Sequence, residues 1–148
     1  MIKVEASVTI ECSSDEVFEF LSNFENNPRW QAGMREAKFT SDGPLRAGST
    51  YAQVARFLGR RIESTFEVID YEPGRMVKAT STSGSFPITF TRIVEAKEDG
   101  AHVKAIIEGD ASGFFKLATP ILRRMVQRSV DADYANLKKV LEAASNDE

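Results

Sequence analysis

Chemistry in this chain has few places to start. It holds one histidine, His102, and one cysteine, Cys12, in 148 residues. A lone cysteine closes no internal disulfide, and one residue of each kind is too few for a Cys/His zinc site. His102 is also the sole imidazole available to activate a serine or cysteine nucleophile. It lies where Val103, Ala105 and Ile107 alternate with His102, Lys104 and Glu108, so it is expected on the outer, solvated face of a strand. Cys12 comes just before an expected helix start, where a thiolate would be favoured, but its strand-end position reads first as the margin of a core. The glycines Gly43, Gly48 and Gly59 stand apart in turns and form no phosphate loop. What remains is the chemistry of hydroxyls, carboxylates and guanidiniums, which can orient an apolar molecule and move a proton. The candidates are Tyr51, Arg56, Ser129 and Asp133.

Each candidate depends on a face. Around Tyr51 two sets compete, Tyr51, Gln53, Ala55 and Phe57 against Ala52, Val54, Arg56 and Leu58. Either set can point inward, so the polar group on the inner face is Gln53 or Arg56. On a helical wheel Ser129, Asp133 and Asn136 fall inside an apolar face. Buried polar groups need partners, a carboxylate most of all. Those partners are a ligand or ordered water, the first helix or nearby backbone, or the solvent at an open end. Arg92 breaks the alternation of Phe86, Ile88 and Phe90 in the same way, and its place near a strand end predicts a solvated tip. Trp30, the single tryptophan, either stacks on a ligand or anchors short helices to a sheet. Arg123, Arg124 and Arg128 share one helix face, read as solvated, with an anionic membrane or ligand tail as the alternative.

Strands and helices must place these groups. Val4, Ala6, Val8 and Ile10 alternate with polar residues, which predicts a strand with one buried face. Ser13 and Glu16 then form a capping box for a short helix over 14–23, and Asn26-Asn27-Pro28 breaks it, with room for one further helical turn. Strands follow at 35–41, 49–58, 60–71, 75–82, 86–96 and 101–110, separated by turns such as Glu72-Pro73-Gly74 and Glu98-Asp99-Gly100. Short turns make them sequential and antiparallel. From 114 to 144 the period is helical, with Ala118, Ile121, Leu122, Met125, Val126, Val130, Ala132, Leu137 and Val140 on the apolar side. Lys116, Gln127, Asp131, Lys138, Lys139 and Glu142 lie opposite. At about 1.5 Å per residue this helix is about 45 Å long. Pro120 either opens it, with Thr119 as cap, or kinks a longer one.

One antiparallel sheet with one apolar face must be covered, and the last helix is the element long enough to do it. A curved sheet cannot be filled by a single stripe of side chains, so a cavity between sheet and helix is expected. Its expected lining is Trp30, Met34, Tyr51, Phe66, Phe86, Phe90, Ile121 and Met125.

Composition sets the outer limits. Hydrophobic residues make up 42% and charged residues 28%, as in an ordinary globular chain. Lys plus Arg is 19 and Asp plus Glu is 22, a net charge of -3, which gives no bulk electrostatic case for nucleic acid. No run approaches the roughly 18 apolar residues of a membrane span, and charges at Lys3, Glu5 and Glu11 break any signal-peptide pattern. One domain over 1–148, a cytoplasmic setting, no metal and no cofactor are the expectations; a homodimer is left open.

The chain resembles the START-related, helix-grip superfamily (SRPBCC), in particular its small polyketide cyclase/dehydrase-like group. The resemblance rests on Ser13-Ser14-Asp15-Glu16-Val17-Phe18-Glu19-Phe20-Leu21 leading to Asn27-Pro28-Arg29-Trp30, on Gly43-Pro44 and Gly48-Ser49, on Phe57-Leu58-Gly59-Arg60-Arg61, on Tyr71-Glu72-Pro73 and on the final amphipathic helix. It implies an α+β helix-grip fold. A curved antiparallel sheet of about seven strands would wrap around the C-terminal helix, with two short helices after the first strand. Members variously bind lipids, steroids, hormones and polyketides, and some catalyse cyclisation. Three functions follow as expectations: binding a small hydrophobic molecule of lipid, polyketide or aromatic type; a metal-free cyclase or dehydratase using the same cavity; or a toxin- or co-chaperone-like interaction module. A cavity of several hundred cubic ångströms favours the first two and a filled core the third.

Overall fold

The computed structural model describes residues 2–84, 87–109 and 119–146. Seven strands occur in it: β1 (Ile2–Ile10), β2 (Met34–Phe39), β3 (Thr50–Phe57), β4 (Arg60–Glu72), β5 (Met76–Ser83), β6 (Ile88–Lys97) and β7 (Gly100–Gly109). Helix α1 (Ser14–Ser22), a single 3-10 turn (Phe24–Asn26) and α2 (Asn27–Trp30) follow β1, and α3 (Thr119–Asn146) ends the chain. The sheet is antiparallel in the order β1-β7-β6-β5-β4-β3-β2, a meander from β2 to β7 onto which β1 pairs. It is the helix-grip architecture, a curled half-barrel with a long C-terminal helix and short helices after β1. Register shifts in β4 between Thr65 and Phe66 and between Val68 and Asp70 put bulges into the longest strand, which bend it and add twist.

Local chemistry explains the elements. β1 buries Ile2, Val4, Ala6 and Ile10 and exposes the charged residues between them. Ser13 Oγ accepts the Glu16 N–H at 3.2 Å, the expected cap of α1. Leu58 and Gly59, at φ 54° and 77°, form a two-residue turn whose positive angles match strand twist.

The described α3 runs from Thr119 to Asn146 and includes Pro120. The expected residues Phe86, Phe114, Lys116 and Ala118 lie outside those described. Its buried stripe differs from the expected one. Leu122, Tyr134, Leu137 and Leu141 are buried while Ala132 is exposed, so the face is rotated toward Tyr134. The cause is the neighbour: α3 runs along β1, an edge strand with free backbone groups. Gln127 Nε2 donates to Glu5 O (2.8 Å), Lys138 Nζ to Thr9 O (2.9 Å), and Glu11 N–H to Glu142 Oε2 (2.8 Å). Side chains expected in plain solvent thus close the sheet edge that would otherwise be open to pairing. Cys12 is buried at the core margin, its Sγ 3.5 Å from Leu141 O. His102 faces outward and meets Thr9 Oγ1 at 3.2 Å.

Candidate functional site

With α3 drawn toward β1, the concave side over β3, β4 and β6 is left to smaller groups. Tyr51 on β3 pairs in register with Phe66 on β4, and their rings stack at 5.1 Å and 9°. Phe24, from the 3-10 turn, stacks on the other side of Tyr51 at 4.4 Å and meets Phe90 edge-on at 5.8 Å. This settles the mixed strand. Tyr51, Gln53, Ala55 and Phe57 line the inside, and Arg56 reaches the rim, exposed. Gly33 makes that rim possible: its carbonyl accepts the Arg56 N–H at 2.7 Å, and a Cβ there would lie 2.6 Å from Arg56 O.

The aromatic residues leave a cavity of about 190 Å³ between sheet, α2 and α3. That is smaller than the expected several hundred cubic ångströms, because Phe24, Tyr51, Phe66 and Phe90 pack into the curve. Met34, Tyr51, Phe66 and Phe90 line it, together with Arg56 and Asp133. Trp30 stands one layer behind the wall, buried, its ring 4.8 Å from that of Tyr134. Three expected residues fall elsewhere. Ile121 is 56% exposed, Ser129 is exposed, and Met125 is half-buried outside the cavity. α3 presents Asp133 and Tyr134 to the cavity instead, about two turns beyond Met125.

Arg92 overturns its expectation as a solvated strand tip. It is 4% exposed and lines the cavity. The alternation Ile88, Phe90, Arg92 carries it inward, between the small buried partners Val77 and Ala105 on the neighbouring strands. Its Nη1 donates to Leu21 O (2.9 Å) and Asn27 Oδ1 (3.2 Å). Its side chain also bonds the Tyr134 phenol. Its Cζ lies over three rings, Phe90 at 4.8 Å, Trp30 at 5.0 Å and Phe24 at 5.7 Å, within cation–π range. Among the described residues no carboxylate pairs with it. The unbroken period-two pattern is the signal for this inward arginine. For Tyr134 it is the helical spacing from Val130 to Leu137.

The helix polar groups bind backbone. Asp133 Oδ1 accepts the Ala32 N–H at 3.0 Å and Asn136 Nδ2 donates to Trp30 O at 3.0 Å, so α3 pins the link from α2 to β2. Burial raises the Asp133 pKa, and the Ala32 N–H offsets part of that. Burial also pushes the Tyr51 and Tyr134 phenols well above the ordinary range, with the Arg92 charge pulling back; both stay neutral hydroxyls at neutral pH. The Tyr51 hydroxyl, Trp30 Nε1 and Gln31 Oε1 are buried with no hydrogen-bond partner among the described residues.

A larger space of about 670 Å³ lies outside, between α1 and the β2–β3 connection, lined by residues such as Glu16, Glu19, Phe20, Phe39 and Leu45. It is more open, and none of the unpartnered buried polar groups faces it. Among the described residues no three His, Cys, Asp or Glu side chains are placed to hold a metal ion, and no helix is long and apolar enough to cross a membrane.

Comparison with known proteins gives a family and a fold. The profile of a family described as polyketide cyclase / dehydrase and lipid transport matches residues 1–142. No curated protein sequence matches the chain. Among solved structures, TTHA0849 from Thermus thermophilus is similar at 15% identity and a TM-score of 0.80, covering 97% of this chain and 99% of that one. A START superfamily protein from Mycobacterium smegmatis gives 14%, 0.75, 96% and 95%. The Zhui aromatase/cyclase from Streptomyces sp. R1128 gives 13%, 0.71, 97% and 93%. At these identities the likeness is one of fold.

Proposed function

The chain belongs to the polyketide cyclase / dehydrase and lipid transport family, and on that premise we propose that it binds a small apolar molecule in the cavity between the curled sheet and α3. The observation that carries this reading is the cavity itself: about 190 Å³, walled by Tyr51, Phe66 and Phe90, with polar groups at its edge. Ligand sites combine apolar walls with a few polar groups in this way. Volume narrows the choice. An apolar cavity of about 150 Å³ accepts benzene, so this one suits a single substituted ring and is too small for a long acyl chain or a folded polyketide.

A second reading, catalysis of cyclase or dehydratase type, draws support from the convergence of Tyr51, Gln53, Arg92 and Asp133 on one cavity. A carboxyl with a raised pKa facing neutral phenols is suited to proton transfer. An interaction module with a filled core has less support, since the concave side keeps this space.

Thermal denaturation with a size series tests the binding reading. A one-ring ligand at 100 times its dissociation constant adds about 2.7 kcal/mol, roughly 5–10 °C for a chain of this size. Ethylbenzene-sized compounds are expected to raise the melting temperature and sixteen-carbon fatty acids to leave it unchanged. No shift with any ring compound, or a shift with long chains alone, contradicts it.

A further inference from the structure

Arg92 poses an electrostatic problem that the described residues leave open. A buried charge is costly unless paired, and this guanidinium has no carboxylate partner among the described residues. The hydrogen bonds from its Nη1 end on the neutral oxygens of Leu21 and Asn27, and the Tyr134 phenol that it also bonds is neutral. Three ring faces soften the charge without neutralising it. Asp133 is the acidic residue on the same cavity wall, and its Oδ1 is engaged by the Ala32 N–H.

Tyr51 stacks on the same Phe24 ring at 4.4 Å. Tyr51 is fully buried, faces the same cavity, and its hydroxyl has no hydrogen-bond partner among the described residues. An unmade hydrogen bond at a buried hydroxyl is itself unfavourable. Among the described residues, a cation without an anion and a hydroxyl without a partner therefore border one small apolar space.

We propose that Arg92 and Tyr51 form an oxyanion-binding end of the cavity, selecting a monocyclic aromatic carboxylate over neutral rings of the same size. The inference rests on the reading of the cavity as a ligand site and adds the ligand's charge. The carboxylate supplies the counter-ion to Arg92 through a charge-assisted bond, which is shorter and stronger than a neutral one. Tyr51 donates its hydroxyl proton into a second bond, and the ring of the ligand packs among Phe66 and Phe90.

The test uses two probes of nearly equal shape, 4-ethylbenzoate and 4-ethylbenzamide, titrated at pH 7 into the whole protein. The benzoate is expected to bind at least about tenfold more tightly, as for a hydrogen bond to a charged group. Arg92→Met is expected to bring the two affinities together, and Arg92→Lys to retain part of the preference. Should Arg92→Met fail to fold, the wild-type ratio and Tyr51→Phe decide: loss of the hydroxyl is expected to weaken the benzoate several-fold. Amide binding as tight as benzoate binding in the wild type overturns the inference while leaving the cavity a ligand site. Binding of neither probe overturns both.

Discussion

The guanidinium of Arg92 lies over the indole ring of Trp30, its Cζ 5.0 Å from the ring centroid, with both side chains almost wholly buried. The same arginine holds Leu21 O at the end of α1 and Asn27 Oδ1 at the start of α2. One side chain of the sheet thus fixes the two short helices that frame the cavity. Asn27→Ala removes a buried acceptor from a charged donor, which costs about 2 kcal/mol. A fall of roughly 4–8 °C in melting temperature is expected. A variant as stable as the wild type would show that Asn27 does not support Arg92.

Tyr51→Phe should act in the other direction on stability. Its hydroxyl is buried without a partner among the described residues, so removing it relieves a desolvation cost of about 1 kcal/mol. The expected result of chemical denaturation is a more stable protein with weaker ligand binding, the trade typical of a functional group held in a core. A destabilised Tyr51→Phe would mean that the hydroxyl is already satisfied in the folded protein.

Asp133 gives a pH signature. Burial raises its pKa above the ordinary 3.8, so the native state holds its proton more firmly than the unfolded chain does. Stability from this group is then highest below pH 3.8 and declines as pH rises through the native value. Asp133→Asn keeps an oxygen for the Ala32 N–H and removes the charge. The variant is expected to gain on the wild type between about pH 3 and pH 7. Glu142, held below the usual carboxylate range by Lys138 and the Glu11 N–H, titrates the other way, but it is common to both proteins and cancels in the difference. A difference that does not change with pH would remove Asp133 from this account.

Gly33 supports the rim at which β2 meets β3. Gly33→Ala places a Cβ 2.6 Å from Arg56 O, and the clash falls on backbone that cannot swing aside. A loss of about 1–3 kcal/mol is expected, read by denaturant midpoint. No loss would show that the β2–β3 edge moves freely.

Much of the fold is legible in the residues. The alternation in β1, the Ser13–Glu16 cap and the turn at Glu98-Asp99-Gly100 act over a few positions, and local rules describe them well. The curled sheet follows from sequential strands and one apolar face. The site is less legible, for physical reasons. A place near a strand end assigns Arg92 to solvent, yet the pattern of Ile88, Phe90 and Arg92 carries it inward. What makes the burial tolerable comes from far along the chain: Leu21 O, Asn27 and the rings of Phe24 and Trp30. The face of α3 departs from the helical wheel because β1 and the residue after it offer free backbone groups to Gln127, Lys138 and Glu142. Asp133 reads from the sequence as a carboxylate needing a partner, and that partner, the Ala32 amide, is 101 positions away in the chain.

The central claim is that a one-ring ligand occupies the space over Tyr51, Phe66 and Phe90. The most direct measurement is a calorimetric titration of 4-ethylbenzoate into the wild type and into Ala55→Phe, in which a new ring projects from β3 into that space. The expected result is one ligand per chain in the wild type and no binding in Ala55→Phe, which keeps its cooperative melting transition. Equal binding by both proteins would place the ligand elsewhere, and no binding by the wild type would contradict the account outright.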